Sequence, residues 1–81
     1  MRTPVLLPDL GAAPILLSLW YADPGDLVYE GDRLLEVLTA GATFDVAAPV
    51  TGRLVERHVW PRDSLKPGQV LGVVEAERQG E

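Results

Sequence analysis

The sequence predicts an all-β domain of about eight short strands, arranged as two small antiparallel sheets. Eight glycines and seven prolines interrupt the 81-residue chain, at intervals of roughly eight to twelve residues that are typical of short strands joined by turns. No segment keeps the periodicity of an amphipathic helix over three turns. An internal repeat also relates the two halves of the chain, which indicates two similar supersecondary units.

The composition fits one small domain without covalent cross-links. The hydrophobic content of 47% is sufficient for a core, and the absence of cysteine excludes disulfides and thiolate metal sites. A net charge of −5 disfavours nucleic acid and anionic membranes as partners. The apolar runs are too short to span a membrane, and no signal peptide is predicted. We therefore expect a cytoplasmic protein, with one domain over residues 1–77 and a short polar tail over 78–81.

Six segments have the apolar pattern and the flanking turn residues of strands. In the second of them, Ile15, Leu17, Leu19 and Tyr21 are predicted to share one face, because side chains alternate along a strand. The third and fourth form a hairpin around Ala40-Gly41. The six predicted strands cover residues 5–7, 15–21, 34–38, 43–47, 52–59 and 70–75.

The repeat aligns residues 24–37 with residues 61–74, so that Pro24 corresponds to Pro61. Both copies read Pro-x-Asp-x-apolar-x-x-Gly-x-x-Leu. In each copy the aspartate can accept backbone amide bonds within a turn, and the glycine allows a positive φ. Neither unit can bury its apolar face alone, so the two are predicted to pack face to face about a pseudo-twofold axis. The paired turn residues are Asp26 with Asp63 and Gly31 with Gly68.

The chain resembles the lipoyl/biotinyl carrier-domain family over nearly its whole length. The similar segments are Leu7-Pro8-Asp9-Leu10-Gly11, residues 24–37, Ala48-Pro49-Val50-Thr51-Gly52 and Gly68-Gln69-Val70-Leu71. Thr39 and Ala42 favour the lipoyl branch, since biotinyl domains flank their lysine with methionines. The resemblance implies the barrel-sandwich hybrid fold of that family.

The same resemblance exposes a missing functional group at the hairpin tip. Family members carry Thr-Asp-Lys-Ala there, and the cofactor is joined to the lysine amine. In this chain Ala40 stands in place of the aspartate and Gly41 in place of the lysine. Lipoate or biotin therefore cannot be attached at Gly41, and no cofactor is predicted. The only lysine, Lys66, aligns with Tyr29 of the other repeat and is predicted to be a solvated turn residue.

Two interpretations of the tip remain open. Gly41 would suit a hairpin turn that requires a left-handed residue, which describes a well-formed tip that has lost its carrier role. Alternatively, the tip is a contact surface, because no charge occurs from Val37 to Phe44 and exposed apolar surface is an indicator of a partner. The residues of this predicted contact surface are Leu38, Ala40, Gly41, Ala42 and Phe44.

The sequence therefore predicts a lipoyl-like domain without the modifiable lysine, acting as a non-carrier interaction or structural module. The resemblance implies partners among the protein components of a 2-oxoacid dehydrogenase-like or related multienzyme complex. An alternative is the acyl-carrier domain of a 2-oxoacid dehydrogenase-type acyltransferase, in which the Asp-Lys pair has been lost or replaced by engineering.

No catalytic or metal site is predicted, so we do not expect an enzyme. His58 has no second histidine or cysteine to complete a metal site, and the two serines lack a base at a suggestive spacing. The acids between residues 23 and 32 are interpreted as solvated turn residues. At least one tryptophan is expected to cap the edge of the sandwich with its N–H at the rim. The residues considered are Ser18, Ser64, Asp23, Asp26, Glu30, Asp32, Trp20 and Trp60.

Overall fold

The computed structural model describes residues 1–11 and 13–76, which form eight strands in two antiparallel sheets. This confirms the predicted all-β class. The described ranges contain no helix, and hence none that could cross a membrane. The predicted domain boundary at residue 77 and the tail over 78–81 lie outside the described residues. The strands are β1 Arg2–Leu6, β2 Ile15–Trp20, β3 Leu27–Val28, β4 Arg33–Leu38, β5 Thr43–Ala47, β6 Gly52–Arg57, β7 Ser64–Leu65 and β8 Val70–Ala76.

Each sheet contains strands from both halves of the chain. Sheet 1 has the order β1-β8-β6-β3, and sheet 2 has the order β5-β4-β2-β7. The strands therefore correspond in pairs: β5 to β1, β4 to β8, β2 to β6 and β7 to β3. The inner faces of both sheets contribute to one apolar core. Its least exposed members include Leu17, Leu34, Leu35, Val37, Leu54, Leu71 and Val74.

The predicted pseudo-twofold relation is visible in the turn hydrogen bonds. The Asp23 amide donates to Asp26 Oδ2 at 2.8 Å, and at the equivalent place the Trp60 amide donates to Asp63 Oδ2 at 2.8 Å. In both turns the aspartate carboxylate accepts a hydrogen bond from the backbone amide three residues earlier. This bond satisfies an amide that a tight turn leaves without a backbone partner. These contacts confirm the turn role predicted for the two repeat aspartates.

The second turn of each unit is also repeated. The Tyr29 amide donates to Asp32 Oδ2, and the Lys66 amide donates to Gln69 Oε1, each at 2.9 Å. The glycine inside each turn has a positive φ, 93° at Gly31 and 82° at Gly68. This left-handed conformation is readily adopted only without a Cβ. The predicted role of these glycines is therefore confirmed.

A β-bulge in β2 changes which of its side chains face the core. The pairing of β2 with β4 shifts register between Leu17 and Leu19, so that Trp20 lies opposite the buried Leu35. A bulge inserts one residue and reverses the alternation beyond it. The prediction of one shared face holds for Ile15 and Leu17. It is wrong for the other two residues: Leu19 and Tyr21 are 38% and 44% exposed.

Candidate functional site

The tip of the β4–β5 hairpin is formed by Thr39, Ala40, Gly41 and Ala42. The Thr39 amide donates to the Ala42 carbonyl at 2.8 Å, and Thr39 Oγ1 is 3.2 Å from the same carbonyl oxygen. These bonds close the tip and leave Ala40 and Gly41 exposed at its apex. The apex is therefore ordered by its flanking residues, while its own two residues present only a methyl group and bare backbone.

Gly41 is not required by the backbone of the tip. Its φ lies outside the left-handed region in which the other turn glycines are found, so the predicted left-handed role for Gly41 is wrong. A Cβ built at this position meets no other atom within 4 Å. The tip therefore has the space and the backbone conformation to hold a larger side chain, and glycine at the apex is not dictated by folding.

The two large apolar residues beside the tip lie on opposite faces of the hairpin. Phe44 is paired with Val37, whose side chain is buried on the inner face, and Leu38 is paired with Thr43 on the outer face. Directly paired residues of an antiparallel ladder share a face. Leu38 is 38% exposed and Phe44 is 39% exposed. Any contact surface that includes both residues must therefore wrap around the tip from both sides.

Lys66 lies at a different place from the apex. It follows the short strand β7, it is exposed, and its backbone amide is engaged in the turn bond to Gln69. This agrees with its prediction as a solvated turn residue. In the fold, Lys66 corresponds to Tyr29, so its amine belongs to a turn between β7 and β8 and has no counterpart at the β4–β5 tip.

The outer face of sheet 2 carries features that the sequence reading missed. Leu16 lies opposite Leu38, and Leu19 lies opposite Glu36 in the adjacent row. The three leucines are 36–38% exposed. We call this surface the leucine face, defined by Leu16, Leu19 and Leu38 beside Glu36. The sequence does contain a signal for this surface. When the two halves of the chain are aligned at the offset of the repeat, the three leucines correspond to the charged residues Arg53, Glu56 and Glu75.

Acidic and aromatic groups border the leucine face. Ser18 Oγ lies 3.2 Å from Glu36 Oε1, and the Tyr21 hydroxyl lies 3.2 Å from Asp45 Oδ1. Arg33 approaches Asp45 at 3.6 Å and also lies 4.9 Å from the centre of the Tyr21 ring. Desolvation, followed by the Asp45 and Glu36 carboxylates, raises the pKa of the Tyr21 phenol above 10.0. Ser18 has a carboxylate neighbour but no histidine beside it, which gives no arrangement for nucleophilic catalysis.

The other polar candidates are engaged in local contacts. His58 lies just beyond β6, where its Nε2 is 2.6 Å from Glu56 Oε1. The hydrogen bond from His58, together with Arg2, lowers the pKa of Glu56 below 4.5. Asp23 pairs with Arg57 at 3.2 Å. Across residues 1–11 and 13–76, no group of three or more potential ligands is positioned to hold a metal ion.

An open depression of about 430 Å³ lies beside Tyr21, Asp26, Asp32 and Arg33. Its two carboxylates each accept a turn amide, as described above, so they act as structural groups. Of the two tryptophans, Trp20 is half-buried and donates its Nε1–H to the Val59 carbonyl at 3.0 Å. This agrees with the expected rim position of one tryptophan, whereas Trp60 is 54% exposed.

Known proteins resemble the chain in both sequence and fold, although no family model matches it. It is 35% identical over 71 residues to the lipoamide acyltransferase component of the branched-chain alpha-keto acid dehydrogenase complex of Pseudomonas aeruginosa, covering 85% of this chain and 15% of that protein. It is 31% identical over 78 residues to the dihydrolipoyllysine-residue succinyltransferase component of the 2-oxoglutarate dehydrogenase complex of Bartonella vinsonii, covering 94% and 19%. The chain thus spans less than one fifth of the length of these curated relatives.

A solved structure supports the same comparison at the level of the fold. The solution structure of the lipoyl domain of the 2-oxoglutarate dehydrogenase complex from Azotobacter vinelandii superposes with a TM-score of 0.66 at 20% identity. The match covers 95% of this chain and 96% of that domain. A small domain of this kind is not an enzyme by itself, in agreement with the prediction from sequence. The chain is thus similar to a lipoyl domain in fold, and to part of two acyltransferase components in sequence.

Proposed function

We propose that this chain is a lipoyl-type domain that carries no acyl arm and acts as an interaction or structural module. The observation that carries the proposal is Gly41 at the apex of the β4–β5 tip. Covalent attachment of lipoate or biotin requires an amine at that position, and glycine has no side chain. The residues present therefore do not fit the cofactor that the fold family implies.

The position of Lys66 supports the same proposal. Its amine is the only lysine amine in the chain, and it projects from a turn whose backbone is held by Gln69. A ligase that recognises a hairpin apex would not meet a lysine there. We infer that no prosthetic group is attached to this domain.

The setting we propose is a 2-oxoacid dehydrogenase-like or related multienzyme complex in the cytoplasm. The support is that the two relatives at 31% and 35% identity are named as components of such complexes. A protein partner is favoured over nucleic acid or an anionic membrane because the chain has a net charge of −5. The proposed tip contact residues are Leu38, Ala40, Gly41, Ala42 and Phe44.

The direct test is the intact mass of the protein purified from its native source. We expect the mass of the bare polypeptide, since no amine is presented at the apex. A mass increment of a lipoyl or biotinyl group would contradict the proposal, and peptide mapping would then be expected to locate the group on Lys66. A Lys66→Arg variant is the matched control, because it keeps the positive charge and removes the only lysine.

An alternative function is supported by the geometry of the tip. Thr39 and Ala42 still close the hairpin, and a Cβ at Gly41 would meet no other atom within 4 Å. These observations favour a carrier domain whose Asp-Lys pair has been lost or replaced by engineering. In that case Ala40→Asp with Gly41→Lys, in a Lys66→Arg background, should be modified by a lipoate–protein ligase.

The outcome of that double substitution distinguishes the two functions. Modification of the folded variant would mean that the surroundings of the tip still satisfy a ligase, which favours the alternative. A folded variant that stays unmodified would mean that the surface around the tip has diverged too. Leu38 and Phe44 would then be the next residues to exchange, because they flank the tip on its two faces.

A further inference from the structure

The leucine face of sheet 2 differs from the equivalent surface of sheet 1 in a way that folding does not require. In sheet 1, Arg2 contacts both Glu56 and Glu75. In sheet 2, Thr43 takes the place of Arg2, and leucines take the places of the two glutamates. The same ladder geometry thus supports a charged surface on one side of the molecule and an apolar one on the other.

Glu36 lies at the edge of the leucine face, between Leu19 of β2 and Asp45 of β5, without a cation of its own. The residue is half-buried, and among the described residues its carboxylate accepts a hydrogen bond only from the Ser18 hydroxyl. Among residues 1–11 and 13–76, Arg33 is the cationic side chain of this region. It lies within ion-pair distance of Asp45 but not of Glu36. A carboxylate that is partly desolvated by neighbouring leucines gains from a positively charged partner.

We propose that the leucine face is the docking surface of a protein segment that presents apolar side chains beside one arginine or lysine. The apolar side chains would cover Leu16, Leu19 and Leu38, and the cation would pair with Glu36. This inference rests on the proposed function, because it assigns the partner surface of the interaction module. The principal contact with the partner is then expected on the outer face of sheet 2 and not at the apex of the β4–β5 tip.

A second copy of the chain is the less favourable occupant of this surface. In a symmetric dimer each face meets the same face, so two Glu36 carboxylates would enter one apolar interface without a cation. The net charge of −5 adds repulsion between copies. A basic segment from another protein satisfies both the leucines and the carboxylate, so charge complementarity selects it.

The test compares matched variants in binding to the purified 2-oxoacid dehydrogenase complex of the source organism. Leu16→Thr/Leu38→Thr removes apolar area while keeping residues that favour strands, and Glu36→Lys reverses the charge beside the leucines. We expect each variant to raise the dissociation constant roughly tenfold or more. Leu6→Thr is the control, because Leu6 is an exposed leucine of sheet 1, and its dissociation constant should be unchanged.

The outcomes separate this inference from the proposed function. If the wild-type chain binds the complex and all variants bind equally well, the leucine face is excluded as the docking surface while the interaction module remains. If the wild-type chain does not bind the complex, the proposed partner is wrong. The leucine face is then judged with a defined probe, acetyl-Leu-Val-Arg-Val-Leu-amide, against its twin with glutamate in place of arginine.

In that peptide titration, followed by amide chemical shifts, we expect the arginine probe to shift the signals of Leu16, Leu19, Glu36 and Leu38. The glutamate twin should not shift them, and Glu36→Gln should remove the preference. Equal responses to the two probes, or shifts confined to other surfaces, would overturn the inference. So would a dimer in sedimentation analysis that Leu16→Thr/Leu38→Thr dissociates, since the occupant would then be a second copy.

Discussion

The two pseudo-twofold halves of the molecule agree in their turns and differ on their outer surfaces. The outer row of sheet 1 contains Arg2, Glu75 and Arg53 across three strands, whereas the equivalent row of sheet 2 contains Thr43, Leu38 and Leu16. The turn bonds and the register shifts recur in both halves. The difference teaches that the inner faces and the turns determine the fold, while the outer rows are free to specialise.

The halves also differ at Gly52, one of two glycines of sheet 1, with Gly72, where an added Cβ would overlap backbone atoms. Gly52 in β6 corresponds to Ile15 in β2, and a Cβ on Gly52 would lie 2.1 Å from the Glu75 carbonyl oxygen. Sheet 1 therefore has a closer strand approach at this point than sheet 2. Overpacking of this kind must be relieved by a shift of the backbone.

The largest expected effect is that of Gly52→Ala. Because the added methyl group meets backbone atoms of β8, we expect the free energy of unfolding to fall by about 1–3 kcal/mol or more. Gly41→Ala is the matched control, since a Cβ at Gly41 meets nothing within 4 Å, and its effect should stay within about 0.5 kcal/mol. Equal stability of the two variants in urea denaturation would contradict the close approach in sheet 1.

A smaller pair of effects is expected at equivalent turn positions. Gly25 has φ 97°, and its counterpart Arg62 has φ 77°, a conformation that strains a residue with a Cβ. Gly25→Ala should lower the free energy of unfolding by about 1 kcal/mol. Arg62→Gly should raise it by up to about 1 kcal/mol, because the relief of strain exceeds the added flexibility of the unfolded chain.

These two substitutions sharpen the comparison because they are expected to change the free energy of unfolding in opposite directions. No atom lies within 4 Å of a Cβ at Gly25, so a loss of stability there would report backbone conformation alone. Thermal unfolding of both single variants and the double variant gives the measurement. Stabilisation by Gly25→Ala, or destabilisation by Arg62→Gly of 1 kcal/mol or more, would show that the turns are not conformational equivalents.

The smallest expected effect is a pH dependence of the charged face of sheet 1. His58 and Arg2 lower the pKa of Glu56 below 4.5 in the folded chain. A lowered folded pKa stabilises the fold above the unfolded pKa, and this contribution disappears as the pH falls through the folded value. Glu56→Gln should therefore reduce the melting temperature slightly at pH 7, with a difference from wild type that shrinks as the pH falls below 4.5 and disappears below the folded pKa.

The measurement is the melting temperature of both proteins between pH 7 and pH 2. A constant difference across that range would mean that Glu56 contributes by packing and not by charge. Leu19→Gln provides the matched change in sheet 2, because Leu19 is the equivalent of Glu56 and has no charge to titrate. Its difference from wild type should not depend on pH in this range.

Local chemistry explains why much of the fold could be predicted from the sequence. The turn at Asp26 and the positive φ at Gly31 depend on residues within a few positions, so the repeat encodes them directly. The inward or outward direction of Leu19 and Tyr21 does not, because it depends on a bulge that forms only when β2 pairs with β4. Alternation along a single strand cannot reveal such a register shift.

The candidate site was predictable in its chemistry but not in its geometry. The absence of an amine at Gly41 is a property of the sequence itself. The separation of Leu38 and Phe44 onto two faces depends on the hairpin register, and the leucine face depends on which strands are neighbours in sheet 2. Aligning the halves residue by residue, Leu16 with Arg53 and Leu38 with Glu75, was the sequence signal that could have identified this surface.

The pairing of Arg2 with Glu75 has a topological consequence. In sheet 1 the Arg2–Glu75 pair is the equivalent of the Leu38–Thr43 pair in the β4–β5 hairpin of sheet 2. Strands β8 and β1 therefore lie side by side like the two arms of a second hairpin. The backbone is therefore close to a closed ring. A short linker from residue 76 to residue 1, with new ends opened between Ala40 and Gly41, would give a circular permutant that keeps every strand pairing.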